Sequence, residues 1–300
     1  MKFSAIDIGS NAVRLLICHV FDVEEHRPMV RKSALYRVPV RLGADAFGKG
    51  RISDQASDRL VAAMMGFKYL MKAAESDDYM ACATSALRSA ENGGQLVERI
   101  KQETGMVIEV IDGSREGELI ALNTLDDRFR KGTYLFIDVG GGSTELTFQR
   151  NNRMVASRSF NVGTVRLKED LVAPATWQEM KDWTRLQCEK LQDVKWIKGI
   201  GSGGNINKYF SLSRIAPDKP MSREKLQAMY DDLASMGLEE RLQVYRLKPD
   251  RADVIVPAGR IYLSVMKWTG IEEIFVPQIG LADGLILEIF NRWKKKNGLI

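Results

Sequence analysis

A gap-free internal repeat constrains this chain more than any other feature. Residues 6–17, IDIGSNAVRLLI, align without insertion on residues 137–148, IDVGGGSTELTF. Asp7 falls on Asp138 and Arg14 on Glu145. Each copy runs as an apolar strand ending in an acid, a turn of glycine and small polar residues, and a second strand. Repetition of that unit predicts two similar α/β halves facing a cleft, with both glycine turns on the ligand. The 300 residues suit two domains of about 150 residues each. The expected division is residues 1–124 and 125–300, with the terminal helix a candidate to pack back on the first domain.

Patterning around the two copies gives a coarse order of elements. Strands are expected over 2–7, 13–20 and 30–38, followed by a glycine-rich loop carrying Gly43, Gly48 and Gly50. A helix from Ser53 to about Ala74 carries Leu60, Met64, Phe67 and Met71 at helical spacing, which marks a core face. A strand over 79–83, a helix from Ser85 to Gly105, a strand over 106–111 and a helix over 115–127 complete the first half. The second copy predicts strands over 133–139, 145–149 and 155–161. A helix over 177–191, strands over 195–200 and 274–276, and a terminal helix over 282–296 follow.

Composition narrows the chemistry. The two histidines, His19 and His26, argue against Ser-His-Asp triads and histidine-rich metal sites. The three cysteines, Cys18, Cys82 and Cys188, are dispersed, which predicts buried fillers rather than a disulfide framework or a zinc site. No apolar run approaches the ~20 residues of a membrane span. Asp7 interrupts the N-terminal apolar stretch, which argues against a signal peptide, so the expected location is the cytoplasm with no membrane association. The net charge of +5 is compatible with a polyanionic ligand and equally with ordinary solubility; no nucleic-acid-binding motif is present. The basic run Arg292-Trp293-Lys294-Lys295-Lys296 suits a helix C-terminus and could also trail along a polymeric anion.

Three glycine segments carry the functional expectation. Gly140, Gly141 and Gly142 let the backbone approach an anion and aim N–H groups at phosphate oxygens, with Ser143 and Thr144 adding hydroxyls. Asp138 can hold Mg²⁺ or another divalent cation, Glu145 can face the same ion, and Asp7 is their counterpart in the first copy. A plain glycine hairpin flanked by exposed acids is the alternative. In the first turn Ser10 and Asn11 can donate to phosphate and Arg14 supplies charge; Arg14 as a simple surface residue is the competing reading. Gly201, Gly203 and Gly204 sit between a strand and a helix, where a helix N-terminus binds anions, or where a tight turn needs glycine. Glu116, in the first turn of a helix, could deprotonate a water, with Glu118 as a rival. Arg88 could clamp a phosphate bidentately.

Together these segments resemble the exopolyphosphatase and guanosine pentaphosphate phosphohydrolase family of the actin, hexokinase and sugar-kinase superfamily. The matching stretches are AIDIGSNAVRLL from Ala5, RLG from Arg41, TSALRSAEN from Thr84, VIDGSREGEL from Val110 and FIDVGGGSTEL from Phe136. VGTVRL from Val162, GIGSGGN from Gly199, RADVIVPAG from Arg251 and GLADGL from Gly280 complete the set in family order. The resemblance implies two actin-like (ribonuclease H-like) domains and release of terminal phosphate from inorganic polyphosphate or guanosine pentaphosphate. It implies Asp138 and Glu145 as Mg²⁺-associated acids, Glu116 as general base, and Ser10, Asn11, Arg88 and residues 140–144 as phosphate holders. A homodimer is implied by the family alone. Ala12, Asn205 and the pair Ala282-Asp283 depart from the family pattern of Ser or Thr, Thr, and Arg-Glu. Two other readings stand beside this one: a small-metabolite kinase of the same superfamily, and an alarmone sensor without turnover.

Overall fold

The computed structural model describes residues 1–23, 28–122, 129, 131–191 and 196–299. The chain divides into two compact units, residues 1–123 with 281–300, and residues 124–280. The last twenty residues therefore group with the first unit and not with the second.

In the first unit, β1 (Lys2–Ile8), β2 (Val13–Phe21) and β3 (Met29–Val38) form an antiparallel meander. β4 (Asp78–Ala83) pairs parallel to the free side of β1, and the two-residue β5 (Glu109–Val110) pairs parallel to β4. The sheet order is β3-β2-β1-β4-β5. Side chains alternate between faces with period two. Ile6, Ile8, Val13 and Leu15 therefore enter one core with Leu60, Met64, Phe67 and Met71 of the helix Asp54–Ala73. Phe3, Ala5, Leu16 and Val20 enter a second core on the opposite face. That second core is closed by Leu285, Ile286, Ile289 and Phe290 of the terminal helix Leu281–Lys296 and by Leu119 and Ile120 of the helix Gly113–Leu122. Ion pairs fix the terminal helix there: Lys32 to Asp283 at 2.6 Å and Arg115 to Glu288 at 3.0 Å.

Three elements differ from the sequence expectation. The glycine-rich segment after β3 contains a short helix, Leu42–Gly48, entered from Arg41 in the left-handed region at φ 62. The helix expected from Ser85 to Gly105 is two helices, Ser85–Ser89 and Gly93–Thr104. Asn92 makes the break: its Oδ1 accepts from Ile52 N at 2.9 Å and its Nδ2 donates to Ile52 O at 2.8 Å. Gly93 follows because a Cβ there would lie 1.9 Å from Leu87 O. The strand expected over 106–111 shrinks to β5, since Met106 and Ile108 are spent in the core rather than on a ladder. Residues 123–127 of the helix expected over 115–127, and His26, lie outside the described residues.

The second unit repeats the plan. β6 (Thr133–Val139), β7 (Thr144–Arg150) and β8 (Arg153–Phe160) form the meander, with β9 (Ile197–Ser202) parallel to β6. β10 (Met221–Ser222) and β11 (Glu273–Phe275) extend the sheet, whose order is β10-β11-β9-β6-β7-β8. Leu135, Ile137 and Val139 face a large core with Tyr209, Phe210, Ile261 and Tyr262. Tyr134 and Phe136 face a smaller cluster with Phe129 and Ile200. Cys18 and Cys82 are fillers, fully buried, and burial pushes both thiols up to about 12; Cys188 is only partly buried. Among the described residues no helix is long and apolar enough to cross a membrane.

Candidate active site

The repeat read from sequence is a repeat of register. Asp7 pairs with Arg14 and Ile8 with Val13 in the first hairpin; Asp138 pairs with Glu145 and Val139 with Thr144 in the second. Both turns hold four residues and close with the same bond, Gly9 N to Ala12 O at 3.2 Å and Gly140 N to Ser143 O at 2.9 Å. Directly opposed residues share a sheet face, with Cβ atoms about 5 Å apart. In the first hairpin this puts Arg14 Nη1 2.7 Å from Asp7 Oδ2, so the acid and base neutralise each other. In the second it opposes two acids, with an oxygen of each within 4.8 Å of the other.

Opposed like charges cost stability in a sheet unless something else offsets them. The hydroxyls of two serines approach the acids. Ser202 Oγ donates to Asp138 Oδ1 at 2.6 Å, and Ser159 Oγ donates to Glu145 Oε1 at 2.7 Å. Both serines are the direct strand neighbours of the acids they serve. Ser202, Asp138, Glu145 and Ser159 thus form one row across β9, β6, β7 and β8. Hard, charged oxygen donors on one face fit a divalent cation of the Mg²⁺, Mn²⁺ or Ca²⁺ type. Beneath the row, the fully buried Tyr262 hydroxyl donates to Ser202 O at 2.5 Å. Burial raises the Tyr262 pKa well above its ordinary value, with the Asp138 charge adding, so it remains a neutral donor.

The glycine turn is held from one side. Gly140 O accepts from Thr164 N at 3.0 Å, Gly141 O from Val165 N at 2.8 Å and from Arg166 N at 3.3 Å. Gly142 O accepts from Arg166 Nε at 3.0 Å. In a planar trans peptide the C=O and the following N–H point opposite ways. The N–H groups of Gly141, Gly142 and Ser143 therefore point away from the segment 164–166. Gly163 makes this contact feasible, because a Cβ there would lie 2.4 Å from Gly141 O. The first hairpin is also held through its turn carbonyls, with the order of the partners reversed: Ser10 O accepts from Gly43 N at 2.7 Å and Asn11 O from Arg41 N at 3.1 Å. The RLG stretch and the VGTVRL stretch thus each brace the turn of their own half.

The remaining candidates have distinct placements. Ser10 Oγ lies 2.9 Å from Ser85 Oγ, and Arg88 Nη1 donates to Ile111 O at 2.6 Å, tying its guanidinium to the start of the segment before Gly113. The Thr144 hydroxyl donates to Val162 O at 2.5 Å, so its proton anchors the turn instead of meeting a ligand. Gly201 is a packing position, where a Cβ would lie 2.9 Å from Ile206 Cγ1. Gly203 has φ +93, and a Cβ there would press to 2.9 Å on Asp138 Oδ1. Gly204 opens the helix Gly204–Ser213. Glu116 is buried in the first turn of its helix, whereas Glu118 is half-exposed and paired with Arg115 at 3.3 Å. At the departures from the family pattern, Asn205 Oδ1 accepts from Arg251 at 3.2 Å, and Ala12 and Ala282 are buried apolar positions. The caps Ser159 and Ser202 and the support from Tyr262 escaped sequence reasoning. Only their place opposite the acids, which needs the strand register, marks them.

Comparison with known proteins agrees with this geometry. Exopolyphosphatase 1 of Mycobacterium bovis is 25% identical over 96% of this chain and 88% of its own length. A bifunctional 3-dehydroquinate synthase/phosphatase of Fusobacterium nucleatum is 26% identical over 95% of this chain, which spans only 46% of that protein. Among solved structures, an exopolyphosphatase from Cytophaga hutchinsonii superposes with a TM-score of 0.83 at 24% identity, covering 97% of this chain and 98% of the other. The Aquifex aeolicus member of the Ppx/GppA family superposes with a TM-score of 0.76 at 24% identity and the same coverage. These two likenesses establish the fold, two actin-like α/β units. Residues 32–293 match the Ppx/GppA phosphatase family as a whole, and with that match over most of its length the chain belongs to that family.

Proposed function

We propose that this protein hydrolyses the terminal phosphoanhydride bond of inorganic polyphosphate, with guanosine pentaphosphate as a second substrate. The observation that carries the reading is the second hairpin. It joins an opposed acid pair to a turn whose N–H groups are held away from their latch. Asp138 and Glu145 would hold a divalent cation, Mg²⁺ in this reading. When bound, the cation offsets charge on the phosphoryl oxygens. The N–H groups of Gly141, Gly142 and Ser143 are the donors for the terminal phosphate. Ser10, Asn11 and Arg88 serve the rest of the chain of phosphates. Glu116 accepts the proton of the attacking water, and its burial suits a base shielded from bulk solvent. Glu118, committed to Arg115, does not suit that role. Arg14 and Asp7 neutralise each other and are assigned structural roles on the first turn.

The exopolyphosphatase named among the relatives supports water as acceptor over transfer to a metabolite, and turnover over sensing alone. The test is phosphate release from long polyphosphate, short polyphosphate and guanosine pentaphosphate, with Mg²⁺ or with chelator, beside Glu116→Gln. The reading requires release that depends on Mg²⁺ and falls by at least ~100-fold in Glu116→Gln with KM little changed. Full activity in that variant removes Glu116 from the role of base.

A further inference from the structure

The row Ser202-Asp138-Glu145-Ser159 has a counterpart in the first unit at the same register, Cys82-Asp7-Arg14-Arg37. The two rows differ in what surrounds the acid. In the first, Asp7 is answered by a guanidinium. In the second, each acid is flanked by a serine whose hydroxyl takes one carboxylate oxygen, at 2.6 Å for Asp138 and 2.7 Å for Glu145. A cap on one oxygen occupies one of its lone pairs and so disfavours chelation of an ion through both oxygens. Two further constraints hold the cap on Asp138. The Tyr262 hydroxyl fixes the Ser202 peptide at 2.5 Å, and the Gly203 backbone stands so close that an added Cβ would lie 2.9 Å from the same oxygen.

We infer that Ser202 and Ser159 determine which cation this site accepts, by biasing Asp138 and Glu145 toward one coordinating oxygen each. The inference rests on the reading that these two acids hold a divalent cation. Mg²⁺ requires a compact octahedral shell and is served by single carboxylate oxygens and water. Ca²⁺ takes six to eight oxygens and gains from bidentate carboxylates. Singly presented acids therefore favour the smaller ion, and the serines, which touch no substrate in this scheme, act as specificity-determining residues through the acids they hold.

The test is direct cation binding to the full-length protein without substrate. Mn²⁺ serves as a paramagnetic probe, displaced in turn by Mg²⁺ and by Ca²⁺. The proteins are wild type, Ser202→Ala, Ser159→Ala, Tyr262→Phe and Asp138→Asn. Outer residues of metal sites shift affinity by about 10- to 100-fold. We expect the Mg²⁺-over-Ca²⁺ preference to shrink at least about tenfold in Ser202→Ala, and in the same direction, less strongly, in Ser159→Ala and Tyr262→Phe. An unchanged ratio in both serine variants, with Asp138→Asn binding no Mn²⁺, overturns the role of the caps and leaves the cation site standing. Mn²⁺ binding that Asp138→Asn leaves intact, or no binding by the wild type, overturns the cation reading and the inference with it. Far-ultraviolet circular dichroism of each variant separates these outcomes from misfolding.

Discussion

Replacing Gly163 by alanine tests whether the segment 163–166 sets the glycine turn. The backbone at Gly163 is extended, φ −142 and ψ 165, so alanine meets no conformational penalty of its own. The cost is collision. The new methyl would lie 2.4 Å from Gly141 O and 2.5 Å from the carbonyl carbons of Gly141 and Gly142, where ordinary contact begins at 3.4 Å. These are backbone atoms with no rotamer to yield, so turn and segment must separate by about 1 Å. Overpacking of this kind costs about 1–3 kcal/mol. Stretching the bonds from Thr164 N and Val165 N to the turn adds about 0.5–1.5 kcal/mol each. The expected destabilisation is therefore about 2–6 kcal/mol, read as a lowered urea midpoint at unchanged m-value. A displacement near 1 Å of positioning groups costs about 100-fold in rate, so phosphate release should fall by about that factor. Gly66→Ala is the matched control. Gly66 lies in the helix Asp54–Ala73 with nothing within 4 Å of an added Cβ, and alanine there should stabilise by about 0.5–1 kcal/mol. Activity of Gly163→Ala within threefold of wild type would refute the latch as the device that shapes the turn.

Other consequences follow from the same structure. Gly203→Ala forces a left-handed-region position and crowds Asp138 Oδ1, so Mn²⁺ affinity should drop at least about tenfold, measured by the same paramagnetic titration. Asn92→Ala removes both bonds that join the helix break to Ile52 and should cost about 2–3 kcal/mol in a denaturant melt, with activity per folded molecule unchanged. Cys18 and Cys82, with thiols raised to about 12, carry almost no thiolate near neutral pH. Their alkylation should stay slow in the native state, speed up only above pH 10, and become fast on unfolding.

The parts of this molecule that local chemistry controls were open to reading in the chain. The two hairpins were legible because the acid-glycine turn recurs without gaps, which put Glu145 across the turn from Asp138; that Arg14 pairs with Asp7 instead of reaching a ligand came only with the strand register. The helix at 54–73 was legible from Leu60, Met64, Phe67 and Met71. Contacts made at long range were not. Arg41 enters the helix Leu42–Gly48 from a left-handed backbone supported by Asn11 O, so a glycine-rich stretch concealed a helix. Asn92 breaks a periodic pattern by bonding to Ile52, forty residues away. Thr144 looked like a ligand donor until Val162 O was found to take its proton. Ser159 and Ser202 are ordinary serines in sequence and become notable only when the sheet sets them beside Glu145 and Asp138. The proposed chemistry rests on the acid pair of the second row, and the self-neutralised pair of the first row shares only its register.

The central claim is attack of water on a terminal phosphoryl group. Hydrolysis of long polyphosphate in ¹⁸O-enriched water, with mass analysis of the released orthophosphate, tests it most directly. The account predicts Mg²⁺-dependent release, with one oxygen of each orthophosphate taken from solvent. Release that needs an added acceptor, or orthophosphate carrying no solvent oxygen, would contradict it.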